Sequence, residues 1–308
     1  MGLLSTNNRF VKFIFYGNYF YGICTVALCM EASLQHLLPL NSSLFYVLVF
    51  VATVAYYTKA YMTDISVETI NKRTQWYSQH RKTVKISQGI CILTGALLLS
   101  YLLWIHRGEL SRITPMEWFL TGLFPAVAVL YYGVNSRLFG NYNLRDKGWL
   151  KPFVIGFTWA GFVTVYPVFY YYFENAVPYT PDSLTVFLFL KNFIFISILC
   201  IMFDIKDYAS DYHHHINTFV VQAGLRRTIF YIIIPLTLFG LLTFIIFVVY
   251  ERFHLSRILL NTIPFLLLLL VGYSMRLRRS TLYYLVVVDG LMLVKAVFGI
   301  VAMLIYSA

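Results

Sequence analysis

LTVFLFLKNFIFISILCIMFDIKDYASDYHHHINT, residues 184–218, is the stretch on which the fold turns. As far as Phe203 it is apolar except for Thr185, Lys191, Asn192 and Ser197, and it is long enough to cross about 30 Å of hydrocarbon as a helix. Beyond Phe203 it gathers Asp204, Asp207 and Asp211 and then His213, His214 and His215. The stretch reads as a membrane span with a strongly polar end.

Scanning outward with a window of about 19 residues finds eight further apolar runs, near 13–35, 42–62, 84–105, 115–133, 152–172, 228–249, 256–274 and 281–305. The composition agrees. Of 308 residues 59% are hydrophobic and 12% charged, and the mean hydropathy is +0.71, outside the range of soluble globular domains. None of the runs has the alternation of an outer-membrane barrel strand. The expected fold is all-α: a polytopic membrane protein of nine transmembrane helices bundled around a central, lipid-accessible cavity, formed as one domain over 1–308. The first run is too long and too aromatic for a signal-peptide core, and reads as a retained span.

The Lys and Arg positions set the expected orientation. Of 24 such residues, eighteen fall on one side, among them Arg73, Arg137, Arg145, Lys151 and Lys206. Four fall on the other, Arg107, Arg112, Arg252 and Arg257, while Lys191 and Lys295 lie within spans. The positive-inside rule places the N-terminus in the cytoplasm, and the expected location is a cell inner membrane. The net charge of +11 then reports topology and lipid headgroups, and nucleic acid is not an expected partner. Cys24, Cys29, Cys91 and Cys200 all lie in apolar runs with no CxxC pair, so neither a disulfide nor a zinc site is expected.

If the helix continues past Phe203, Asp204, Asp207 and Asp211 fall within about 60° of one another, with Lys206 nearly opposite. Three carboxylates at a helix C-terminus repel one another and the macrodipole, which calls for a cation. A hard divalent ion suits them, since Mg²⁺ takes one or two carboxylates with waters and phosphate oxygens. A solvated acidic helix end is the alternative. A di-iron centre needs several separated histidine boxes, and this side offers His80, His213, His214 and His215 alone.

The run Asp204-Ile205-Lys206-Asp207-Tyr208-Ala209-Ser210-Asp211, followed by Ile216-Asn217-Thr218, resembles the second aspartate motif of the UbiA superfamily of intramembrane prenyltransferases. Leu144-Arg145-Asp146-Lys147-Gly148-Trp149-Leu150-Lys151 is similar to that family's connection between its fourth and fifth helices. The resemblance implies that Mg²⁺ ions held by aspartates bind a polyprenyl diphosphate, while Lys and Arg side chains steady the departing diphosphate. The allylic cation then alkylates an aromatic or other acceptor inside the membrane.

Carried onto this chain, the resemblance implies Asp204, Asp207, Asp211 and Asp64 as metal ligands and Asp207, Asp211 and Lys59 as catalytic residues. It implies Lys151, Arg137, Arg145, Tyr57 and Asn18 as substrate contacts. The family's first motif is degenerate: in Tyr56-Tyr57-Thr58-Lys59-Ala60-Tyr61-Met62-Thr63-Asp64 only the last aspartate survives, and Asp64 and Glu68 form a displaced acidic pair. A catalytically silent member that binds a prenyl lipid or a protein partner is the alternative. Intramembrane Glu31, Lys191, Asp289 and Lys295 allow a third reading, transport along an ion path, although snorkelling or mutual pairing also accounts for them.

Overall fold

The computed structural model describes residues 9–63, 72–132, 134–136, 140–142, 148–213, 215–250 and 253–307. In chain order the helices are α1 (Arg9–Tyr16), α2 (Tyr19–Gln35), α3 (Ser43–Thr63), α4 (Lys72–Gln79), α5 (Arg81–Ile105), α6 (Arg107–Leu110) and α7 (Pro115–Tyr132). Among the described residues a short antiparallel hairpin, β1 (Val134–Ser136) with β2 (Gly140–Tyr142), supplies the strands. Then follow α8 (Lys151–Ala160), α9 (Tyr166–Glu174), α10 (Ser183–His213), α11 (Phe219–Ala223), α12 (Leu225–Arg227), α13 (Ile234–Tyr250), α14 (Leu255–Ser274), α15 (Thr281–Tyr283) and α16 (Gly290–Ser307). Single π turns at Gly161–Val165, Thr228–Ile233 and Tyr284–Val288 join α8 to α9, α12 to α13 and α15 to α16.

Each apolar run falls on helix. Among the described residues six helical stretches are long and apolar enough to cross a membrane, and seven if the bent pair α1 and α2 is one span. Ser43–Lys59 and Pro115–Tyr131 are apolar but shorter. Along α5 the large side chains Ile86, Ile90, Leu93, Leu97 and Trp104 are all exposed, as a lipid-facing helix requires.

The chain divides into two compact units. The first comprises Met1–Ala27 and Leu40–Arg112. Here the expected span over 13–35 is broken rather than straight: α1 and α2 meet at a bend of 60°. The bend sits at Gly17 and Asn18, where Asn18 takes a left-handed φ of 66°, a conformation that Asn tolerates better than most residues. Arg73 stabilises the break. Counted in the sequence as a loop charge, it is 2% exposed and donates to the carbonyls of Phe15 (3.4 Å) and Tyr16 (3.1 Å) at the end of α1. A cation at a helix C-terminus meets both the orphan carbonyls and the dipole. Val51, Val54 and Cys91 form the apolar contact between α3 and α5.

The second unit comprises Leu28–Pro39 and Ile113–Ala308. Helix α7 opens on a capping box, in which Thr114 N donates to Glu117 Oε2 at 2.6 Å and Glu117 N to Thr114 Oγ1 at 3.3 Å. Glu117 Oε1 also accepts from Tyr179 N at 2.8 Å, which ties down the loop after α9. Lipid is as apolar as leucine, so helices in a membrane associate through close packing at small residues. Gly156 of α8 does this: a Cβ there would lie 2.2 Å from Ser197 Oγ of α10.

Candidate functional site

Helix α10 runs 31 residues, about ten beyond its apolar part, so the three aspartates stand on helix as expected. It closes in a Schellman arrangement. Ile216 N donates to Asp211 O at 2.9 Å and His215 N to Tyr212 O at 3.3 Å, with His215 at a left-handed φ of 54° where glycine is usual. His213 and His215 are exposed. Part of the histidine run thus forms the turn that ends the helix. His214 lies outside the described residues.

Asp204 is fully buried and Asp211 is 6% exposed, while Asp207 is only partly buried. The cation beside Asp204 is a protein side chain: Lys151 Nζ donates to Asp204 Oδ1 at 3.0 Å. Asp204 Oδ2 is buried with no hydrogen-bond partner among the described residues. Asp211 and Tyr131 lie within electrostatic reach of Lys151, as Asp207 does of Tyr284. Lys206 does not point away as the helical angle suggests. Its flexible stem brings Nζ to 3.3 Å from Asp207 Oδ1 and to 5.3 Å from the centre of the Phe203 ring.

Local sequence explains why Lys151 reaches α10. Pro152 sits in the first turn of α8, where its missing N–H leaves nothing unpaired. Gly148 lies directly against the chain after α10, and a Cβ there would be 2.7 to 2.8 Å from backbone atoms of Asn217 and Thr218. Thr218 then caps α11, its side chain accepting from Val221 N. The two segments singled out in the sequence, 144–151 and 204–218, therefore meet at Gly148 and Lys151 within the second unit.

Three expected site residues belong to the first unit. Asn18 is fully buried and donates to Thr58 Oγ1 (3.2 Å) and Tyr77 Oη (2.9 Å) while accepting from Arg73. Its polar atoms are engaged in holding the bend. Tyr57 stacks on Tyr21 with ring centres 4.8 Å apart, and Lys59 is exposed on the last turns of α3. His80 stacks on Trp76 at 4.7 Å. Asp64, Glu68, Arg137, Arg145, Asp146 and Lys147 lie outside the described residues.

Asp289 went unassigned to this site in the sequence. It is 4% exposed, and it lies within electrostatic reach of the Cys200 thiol, as do Asp204 and Lys151. As it lies 78 or more positions beyond the aspartate motif, only the packing of the last helix brings it near. Among the described residues no three His, Cys, Asp or Glu side chains are gathered so as to hold a metal ion by themselves. No family model, characterised protein or solved structure matches the chain.

Proposed function

We propose that this chain is a membrane-embedded transferase that moves a prenyl group from a polyprenyl diphosphate to an acceptor within the bilayer. The observation that carries the reading is the pair of buried Asp204 with half-buried Lys151 where the long apolar part of α10 ends, with one Asp204 oxygen unpartnered among the described residues and Asp207 and Asp211 on the same helix. The proposal takes the nine apolar helices as nine spans around a lipid-accessible cavity, with the aspartate end of α10 on the cytoplasmic side.

The donor set suits Mg²⁺ in kind. Asp204 Oδ2 is an orphaned hard oxygen, Asp207 is partly open to solvent, and an ion that takes one or two carboxylates and completes its shell with water and phosphate does not need three. One or two of Asp204, Asp207 and Asp211 would hold it, with water and phosphate oxygens completing its shell, and when bound it would supply positive charge to the diphosphate oxygens as they leave. Lys151 holds the Asp204 carboxylate in place and adds a fixed ammonium to the site. Burial of the surrounding apolar side chains keeps water from a reactive allylic cation.

Incubating a mass-tagged prenyl diphosphate and aromatic acceptors with membranes that contain the protein tests this: a larger, acceptor-dependent lipid is expected, and Asp207→Asn should abolish it. A second reading, binding of a prenyl lipid without turnover, is favoured by Lys151 and Lys206 already pairing with two of the three carboxylates. It predicts binding and no product.

A further inference from the structure

Inside the second unit, far along α10 from the aspartates, three charged side chains meet. Lys295 Nζ of α16 lies 2.6 Å from Glu31 Oε2. Lys191 Nζ of α10 lies 3.8 Å from Glu31 Oε1, and its hydrogen bond goes to a neutral group, Asn261 Oδ1, at 2.6 Å. All three are at most 4% exposed, and all three lie within apolar helices of membrane-crossing character. The fit is close: a Cβ at Gly299, one turn along from Lys295, would lie 2.5 Å from Glu31 Oε1.

The charges do not balance. The charged groups that face Lys191 are Glu31 from α2, Lys295 from α16 and Arg257 from α14, while α13 presents the Phe244 ring, 5.1 Å away at its centre. Among the described residues, with both amines protonated, one carboxylate meets two ammonium groups. A bare excess cation is strongly disfavoured in a low-dielectric interior. Lys295 is bound directly to the carboxylate; Lys191 is not. A neutral Lys191 amine still donates to Asn261, and the Glu31–Lys295 pair is then neutral as a whole.

Further polar groups lie between the cluster and the end of α2. Gln35 Nε2 contacts Asn261 Oδ1 at 3.5 Å, and Arg257 Nε donates to Gln35 Oε1 at 3.1 Å. Next in sequence, His36 Nε2 is 2.9 Å from Thr185 Oγ1 and 3.8 Å from Asp182 Oδ1, a side chain 59% exposed. We propose that Glu31, Lys191 and Lys295 form a proton-binding site whose two charge states differ by one proton carried on Lys191. The ligand is the proton itself, as in a protein that couples proton movement to the binding or movement of another species. The inference does not rest on the prenyl-transfer reading.

Solid-state NMR of the full chain in lipid bilayers, labelled with ¹⁵N at lysine Nζ, tests it directly. As the pH is raised from mildly acidic to mildly alkaline, one lysine resonance of the wild-type protein should convert from ammonium to neutral amine. That resonance should be missing from Lys191→Arg, which keeps charge and bulk, and from Lys191→Met. Wild-type lysines that all stay ammonium across the range overturn the proposal, as does a converting resonance that persists in both variants.

Discussion

Lys151 Nζ stands 3.0 Å from Asp204 Oδ1, joining two residues 53 positions apart at the polar end of α10. A buried pair loses far more when one member is removed than when both are, because a single deletion strands the other charge. Lys151→Met should therefore destabilise the protein by about 3 to 5 kcal/mol. Asp204→Asn combined with Lys151→Met should recover most of that loss. Denaturant unfolding in detergent of the wild type, both single variants and the double variant measures the coupling, and additive losses would contradict the pairing.

Arg73 should behave as a structural cation. Replacing it with Met removes the donors from the carbonyls of Phe15 and Tyr16 and from Asn18. Each buried group left unsatisfied costs about 1 to 3 kcal/mol. Arg73→Met should lower the melting temperature clearly, whereas Arg81→Met, an exposed neighbour on α5, should barely move it. Equal effects would show that Arg73 is an ordinary surface charge.

The sequence displays much of this fold and less of its chemistry. The apolar runs all became helices because a span must satisfy its backbone internally, which leaves a long unbroken signal. The one-sided placement of the aspartates was legible on the condition that the helix runs past Phe203, which it does, and pairing among the intramembrane charges was one reading of them, realised by Glu31 with Lys191 and Lys295. The bend at Asn18 was not legible, because it depends on Arg73 arriving from a distant segment. Arg73 and Arg257 both read as loop charges, yet both are buried, since local hydropathy does not reveal which carbonyl or amide will receive a guanidinium. The cation beside Asp204 was legible in kind but not in identity: charge repulsion called for one, and Lys151 supplies it across the fold.

His36 gives the protein a pH dependence of known sign. Burial, opposed by the Ala32 carbonyl and Asp182, lowers its pKa below the ordinary value of 6.5. The folded state therefore favours the neutral ring. The stability associated with this is fully present above the ordinary histidine value and is lost as the pH falls from there through the lower folded value. The melting temperature should drop on mild acidification, and His36→Asn should remove part of the drop. Parallel curves for the two proteins would contradict the assignment.

The orientation is open to a direct check. Fusing a reporter after residue 215 should place it in the cytoplasm, and fusing one after residue 178 should place it outside, as the Lys and Arg distribution requires. The reverse pattern would put the aspartates on the wrong side for a cytoplasmic diphosphate.

Binding of a prenyl diphosphate in the presence of Mg²⁺ tests the central claim, that the aspartate end of α10 is a diphosphate site. Titration of the purified full-length protein, followed by thermal shift, should give saturable stabilisation that disappears with a chelator. In Asp207→Asn the affinity should fall at least tenfold, a loss of about 1.4 kcal/mol, while Lys85→Met, an exposed lysine on α5, should bind as the wild type does. Equal affinity in the wild type and Asp207→Asn, or no stabilisation of either, would contradict the account.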